Sequence, residues 1–229
     1  MKTIGMIGGT SWHSTVEYYR IINEIVATRL GGHHSAKIIL SSVDMDTLLA
    51  WANEENWNAI TDSLIGEVRK LETGEADFFI LCANALHKFA DQLIKATSMP
   101  MLHIAEATAQ KIREKKIDKV ALLGTKYIIE DSFYQKCLEK AGIDVILPNT
   151  EQKTEINRVI YDDLAHGNIN DISRKLFIDI INSLAVKGAK GIVLGCTEIP
   201  LLIKQEHVSI PVFNTTNIHA EAAANMALG

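Results

Sequence analysis

The chain has 229 residues, 47% of them hydrophobic and 22% charged, with a net charge of -5 at pH 7. That balance fits a soluble globular protein of one large domain or two small ones and argues against disorder. It gives no electrostatic reason to bind nucleic acid or an anionic membrane. No apolar run approaches the roughly 20 residues of a membrane span, and the short run at residues 3–7 stops at Gly8 and Gly9 without the core of a secretory leader. A cytoplasmic location is expected. Cys82, Cys137 and Cys196 are an odd, sparse set that suggests neither a disulfide framework nor a structural zinc site.

In chain order, strands are expected at 3–7, 37–42, 78–82, 119–123, 144–147, 191–194 and 212–213. These are continuous apolar runs, the mark of strands covered on both faces. Helices are expected at 14–29, 56–73, 88–96, 104–114, 130–141, 151–165, 171–187 and 218–227. Ser14 followed by Glu17 reads as a capping box, and Gly74, Gly142 and Gly188 read as left-handed helix stops. The alternation implies α/β architecture with parallel sheets and right-handed crossovers.

The order repeats. Residues 4–8 resemble 120–124, residues 76–81 resemble 189–194, and 99–101 resemble 210–212, at offsets of about 111–116 read directly from the chain. The expectation is two pseudo-symmetric lobes, each a mainly parallel sheet flanked by helices, with the active site in the cleft between them. Residues 1–98 plus 212–229 would form the first lobe and 99–211 the second. The repeat aligns Ala83 with Cys196 and Asn84 with Thr197, each just past a strand's C-terminal end, where open α/β sheets bind ligands.

Gly195-Cys196-Thr197-Glu198 is the sharpest motif. A helix starting near Pro200 would lower the thiol pKa and leave Cys196 able to move protons near neutral pH. The plain alternative is a buried structural cysteine. In Cys82-Ala83-Asn84-Ala85-Leu86-His87-Lys88, Asn84 can bind a carboxylate, and His87 is either a pocket base or a helix N-terminal residue. Cys82, pointing to the opposite face, and Cys137, within a helical pattern, read as structural. Gly8-Gly9-Thr10-Ser11-Trp12 lets backbone approach a ligand and offers the Thr10 hydroxyl, and Thr125 holds the equivalent place after the fourth strand. Neither loop is a dinucleotide or phosphate-loop fingerprint. His33, His34 and His103 have no convincing carboxylate partner for a metal, so no metal is expected.

Together, Gly8–Trp12, Asn84–Lys88 and Gly195–Glu198 resemble the aspartate/glutamate racemase superfamily over essentially the whole chain. The first loop is similar to a broad-specificity or L-aspartate/glutamate subgroup. The resemblance implies a homodimeric racemase acting on a small amino acid without cofactor, in which two side chains flank the α-carbon. Cys196 matches one of them. Ala83 stands where the family has cysteine or, in this subgroup, often threonine, and it carries no proton. Asn84 and Thr197 match carboxylate contacts, Glu198 completes the late motif, and Ala85 replaces a family threonine. Leu48 and Ala165 replace an arginine and a lysine that hold a distal carboxylate in aspartate-selective relatives, which argues against aspartate specificity. The expected activity is therefore amino-acid racemisation through Cys196, with His87, or Thr10 through water, as candidates for the second face. Behind it stand a single-cysteine decarboxylase or isomerase of a small carboxylic acid, and a non-catalytic amino-acid binder.

Overall fold

A computed structural model describes residues 1–229. The chain divides into two compact units, Met1–Ile104 with Thr216–Gly229 and Ala105–Thr215.

The first unit contains β1 (Ile4–Gly8), α1 (Trp12–Leu30), β2 (Ile38–Ser42), α2 (Met45–Asn53), α3 (Trp57–Thr73), β3 (Phe78–Leu81), a 3₁₀ turn at Ala85–Phe89 and α4 (Ala90–Lys95). Its sheet is parallel in the order β2-β1-β3, with Met101 bridging to Phe79 on the far side of β3. Alternation along the strands sends Ile7, Phe79 and Leu81 to a core with Leu64, Val68 and Leu71 of α3. Ile4, Met6, Phe78 and Ile80 go to the other face, against Tyr18 and Ile22 of α1 and against Ala220, Ala223, Ala224 and Ala227. Those alanines lie on α11 (Thr215–Leu228), whose small side chains let the helix approach closely. Each fully buried Ile, Leu or Phe of this kind contributes about 1.5–3 kcal/mol over its exposed state.

The second unit contains α5 (Ile104–Glu114), β4 (Lys119–Leu123), α6 (Lys126–Ile129), α7 (Phe133–Lys140), β5 (Asp144–Ile146), α8 (Thr150–Arg158), α9 (Asp171–Val186), β6 (Ile192–Leu194), α10 (Ile199–Leu202) and β7 (Val212–Asn214). Its sheet is also parallel, in the order β5-β4-β6-β7. The two sheets share one plan: β2, β1, β3 and the Met101 bridge take the places of β5, β4, β6 and β7. The α/β class with two parallel sheets flanked by helices is thus the fold.

Several local expectations differ from the structure. Residues 99–104 stay with the first unit, since Met101 pairs with Phe79. Strand β7 belongs to the second unit because it pairs with β6, from Ile192↔Val212 to Leu194↔Asn214. Helix α1 starts at Trp12, not at Ser14: its cap is Ser11, whose hydroxyl accepts from Ser14 N–H at 3.5 Å. Gly74 has φ -78°, and the left-handed residue there is Glu75 at φ +63°. Gly142 and Gly188 do adopt positive φ, +79° and +100°. Helices α2 and α6 occupy stretches read as loops. The single helix expected at 151–165 is α8 followed by a π-helical turn at Val159–Asp163 and a 3₁₀ turn at Leu164–His166.

Candidate functional site

Four expected site residues share one placement. Thr10, Ala83, Thr125 and Cys196 each lie two residues beyond the end of a strand: β1, β3, β4 and β6 respectively. All four strands are parallel, so these positions fall at the carboxyl edges of the two sheets, where such sheets bind small molecules.

In the second unit, Cys196 continues the alternation of Ile192 and Leu194 and is buried with them. Gly195 makes this path possible. Its N–H donates to Leu123 O at 2.7 Å, and a Cβ there would lie 2.9 Å from that same carbonyl oxygen. The Cys196 thiol donates to Glu198 Oε2 at 2.9 Å, and Thr197 Oγ1 donates to the same oxygen at 2.8 Å. Burial first, and then the Glu198 carboxylate, push the thiol well above its usual pKa, against a smaller opposing effect of hydrogen bonds from the backbone at 198 and 197. This reverses the expectation of a thiol made acidic by a helix N-terminus. Helix α10 has only four residues, Ile199–Leu202, and a carboxylate in contact with the sulfur outweighs its few N–H groups. Cys196 rests as a thiol, with a proton to give and an acceptor beside it.

Tyr161 adds a residue that sequence reasoning missed. It lies in the π-helical turn, and its phenol is pushed up to about 12 by burial first, then by Cys196, Tyr127 and Glu198, which places its oxygen within their electrostatic reach. Such turns recur at functional sites, but nothing in the residue pattern announces one. Half-buried Thr125 ends β4, and its carbonyl accepts from Ile128 N–H at 3.0 Å to open α6. Ala165 is exposed in the turn that follows the π-helical segment.

In the first unit, the loop after β1 is tightly held. Val43 N–H donates to Gly8 O and Gly9 N–H donates to Thr15 Oγ1, both at 2.9 Å. Gly9 has φ +92°, and a Cβ there would lie 2.0 Å from Val43 O, so only glycine fits. Thr10 Oγ1 is buried with no protein partner. Leu48 on α2 is buried in the core that also packs Ala83. Cys82 is fully buried in the opposite core, where desolvation raises its pKa, so it is a packing residue. Cys137 on α7 is raised to about 11, first by burial and then by Glu106.

After Ala83 come Asn84, 4% exposed, half-buried Ala85 and then His87, 2% exposed. His87 Nδ1 donates to Ala83 O at 2.8 Å, so its Nε2 carries the lone pair. That nitrogen is buried without a protein partner. The ring lies edge-on to His103 at 4.7 Å and to His219 at 5.5 Å between centroids. His219 Nε2 donates to Leu102 O at 2.8 Å, and Tyr18 OH donates to His219 Nδ1 at 2.9 Å. Burial first, then the neighbouring histidines, hold His87 well below the usual imidazole pKa, and burial takes His219 down to about 4. With both nitrogens of His219 and one of His87 committed within the protein, the three rings are not a metal-ligand set. His33 and His34 are exposed, away from any such cluster.

The family model for Asp/Glu/Hydantoin racemases matches residues 7–223. The chain belongs to that family. Among curated relatives, the broad specificity amino-acid racemase RacX of Bacillus subtilis is 27% identical over 176 residues, 77% of this chain and 74% of that protein. Among solved structures, a candidate Asp/Glu racemase from Yersinia pestis is 45% identical, with a TM-score of 0.96 and full coverage of both chains. An aspartate racemase homologue from Pyrococcus horikoshii OT3 is 35% identical, with a TM-score of 0.89 and again full coverage of both. This Asp/Glu/Hydantoin racemase family member therefore shares its fold with relatives over its whole length, and the family match spans both strand-end loops.

Proposed function

We propose that this protein is a cofactor-independent amino-acid racemase in which Cys196 is the thiol acid/base and Ala83 occupies the opposite position. The observation that carries the reading is the buried Cys196 thiol, held at 2.9 Å on Glu198 Oε2 just past a strand's carboxyl end. Held on Glu198, the sulfur rests as a thiol that can deliver a proton, and the thiolate it leaves is a strong base that can take one back. The two states of one sulfur thus serve the two directions of proton transfer. Asn84 and Thr197 are the assigned carboxylate contacts, with Thr10, Ala85 and Thr125 lining the remainder.

Leu48 and Ala165 put no cation where a distal carboxylate would need one. A buried carboxylate without a partner costs several kcal/mol, so the substrate class is amino acids with a non-acidic or small side chain, in keeping with the broad specificity named for the RacX relative. Cytoplasmic location and homodimeric assembly complete the reading.

The test is exchange of the α-proton with solvent deuterium across the natural amino acids, read by loss of the α-hydrogen NMR signal. Wild-type protein exchanges at least one amino acid from both enantiomers, and Cys196→Ala loses the activity by 100-fold or more, about the contribution of a positioned acid/base. Full activity in Cys196→Ala refutes the assignment. One observation favours a second reading: a thiol held protonated on Glu198 could protonate a single face, as a decarboxylase of a malonate-like acid does. Release of carbon dioxide from such acids, with no amino-acid exchange, would establish that reading in place of racemisation.

A further inference from the structure

The first unit leaves one apolar surface bare. On α1, Trp12, Val16, Tyr19 and Leu30 recur at helical spacing and form a single stripe along the helix. Trp12 is 63% exposed, Val16 and Tyr19 53% each, and Leu30 45%. The stripe lies to one side of the face that packs on the sheet through Tyr18, Ile22 and Val26. On that side the helix is tied to the chain leading into β2: Asn23 Oδ1, about three turns after Trp12 in the stripe, accepts from Ala36 N–H at 2.9 Å. Leu40 of β2 pairs in register with Met6, on the sheet face that α1 covers, and is itself 45% exposed. Helix stripe and strand thus make one surface. We infer that a second copy of this chain covers it, the α1–β2 face of each protomer seated on that of the other about a two-fold axis. This rests on the homodimeric reading above and gives it a surface.

Three observations point to a copy of the same chain. The first is size. Aromatic side chains carry about 150–250 Å² each, so Trp12 and Tyr19 leave roughly 200–300 Å² bare at these exposures. With Val16, Leu30 and Leu40 the bare apolar area is about 500 Å², the size of patch that marks an interaction site. A stable interface takes about 800 Å² per partner, and about 65% of a homodimer interface is apolar. That requirement is also about 500 Å². Trp12 is stacked on His13 at 3.7 Å between centroids, which holds the indole in place before a partner arrives, and Trp and Tyr are common interface anchors.

The second observation is charge. A two-fold interface sets one patch against its own image, where any charge would meet its like, and the stripe carries none. On the outer side of α1, Arg20 is already bound to Glu17 at 2.7 Å and to Glu24 at 2.6 Å. An anionic membrane surface would call for cations beside the stripe instead. The third is the edge of the sheet. In the order β2-β1-β3 the outer side of β2 is unpaired, and Ile38–Ser42 contains neither a charge nor a proline, the usual means of guarding an edge. A two-fold axis there runs the two β2 strands antiparallel and hides both edges together.

The test is mass in solution, by analytical ultracentrifugation across a concentration series from nanomolar to high micromolar. Wild-type protein is expected at twice the 25.3 kDa of one chain. Tyr19→Glu and Leu40→Lys, each placing a charge within the face, should weaken the dimer by about 30-fold or more, the loss that marks a central anchor. Ile94→Glu is the control. Ile94 is exposed on α4, which packs on the other face of the sheet through Leu93, and its variant should keep the wild-type mass. Circular dichroism checks folding, and Tyr19→Ser and Leu40→Thr carry the same test if the charged variants do not fold. A wild-type dimer that either substitution in the face leaves intact, or that Ile94→Glu weakens as much, overturns the inference while the homodimeric reading stands. A wild-type chain that stays monomeric throughout the series overturns both, and binding of that monomer to anionic lipid vesicles would give the face to a membrane.

Discussion

The buried histidines make folding stability fall between pH 7 and pH 5, and the size of that fall can be worked from the structure. An imidazole in the unfolded chain titrates near pH 6.5. His219 in the folded chain titrates at about 4. Its folded pKa is depressed, so between these values the unfolded state binds a proton that the native state refuses. Stability is then fully present above about pH 6.5 and is lost as pH falls toward 4. From pH 7 to pH 5 the linkage relation gives about 2 kcal/mol for this one ring. His87 is depressed too and adds a loss of the same sign. Set against a typical total of about 5–15 kcal/mol, the effect is large. Glu67 and Glu72 have lowered pKa values, so their contributions disappear only below the ordinary carboxylate range. Cys82 and Cys196 are raised and act only at alkaline pH. The window from pH 7 to 5 therefore isolates the histidines. Urea unfolding followed by tryptophan fluorescence is the assay, because Trp12, Trp51 and Trp57 all lie in the unit that holds His87 and His219. His219→Gln, which keeps a donor for Leu102 O, should shrink the fall by about 2 kcal/mol. An equal fall in variant and wild type would refute the reasoning.

Two further outcomes follow from the site. Glu198→Gln removes a charge that raises the Cys196 pKa, so the midpoint of thiol alkylation by iodoacetamide against pH should move to lower pH; an unchanged or higher midpoint would show that Glu198 does not hold the thiol pKa up. Gly9→Ala would set a Cβ against the Val43 backbone at a residue with φ +92°, and should cost at least about 2 kcal/mol in urea unfolding; a variant as stable as wild type would mean that the loop before Thr10 is free to move.

The strands were legible because each is a short apolar run buried on both faces. The expected 119–123 is β4, and 3–7 is β1 displaced by one residue. The near-constant spacing of those runs also carried the alignment of Ala83 with Cys196. What failed depended on effects that composition does not encode. Helix α2 begins at a polar stretch whose signal is the Asp44 carboxylate capping Thr47 N–H at 3.3 Å. The π-helical turn at Val159–Asp163 has the residue pattern of an ordinary helix, so Tyr161 went unnoticed. The Cys196 thiol was read against a helix dipole, whereas the stronger influence was the Glu198 carboxylate two residues on. The Tyr18–His219 pair joins residues 201 apart, and no local window contains both.

The last helix has a consequence for the order in which the molecule is made. The alanine face of α11 closes the core around Ile4, Met6 and Tyr18, so these early residues wait for a helix made well after them. Ala105–Thr215 is one unbroken segment, and every strand of its sheet is synthesised before α11. On the ribosome, the second unit should therefore reach its native packing ahead of the first, and a chain stopped just short of α11 should hold a finished thiol site beside an open, sticky half.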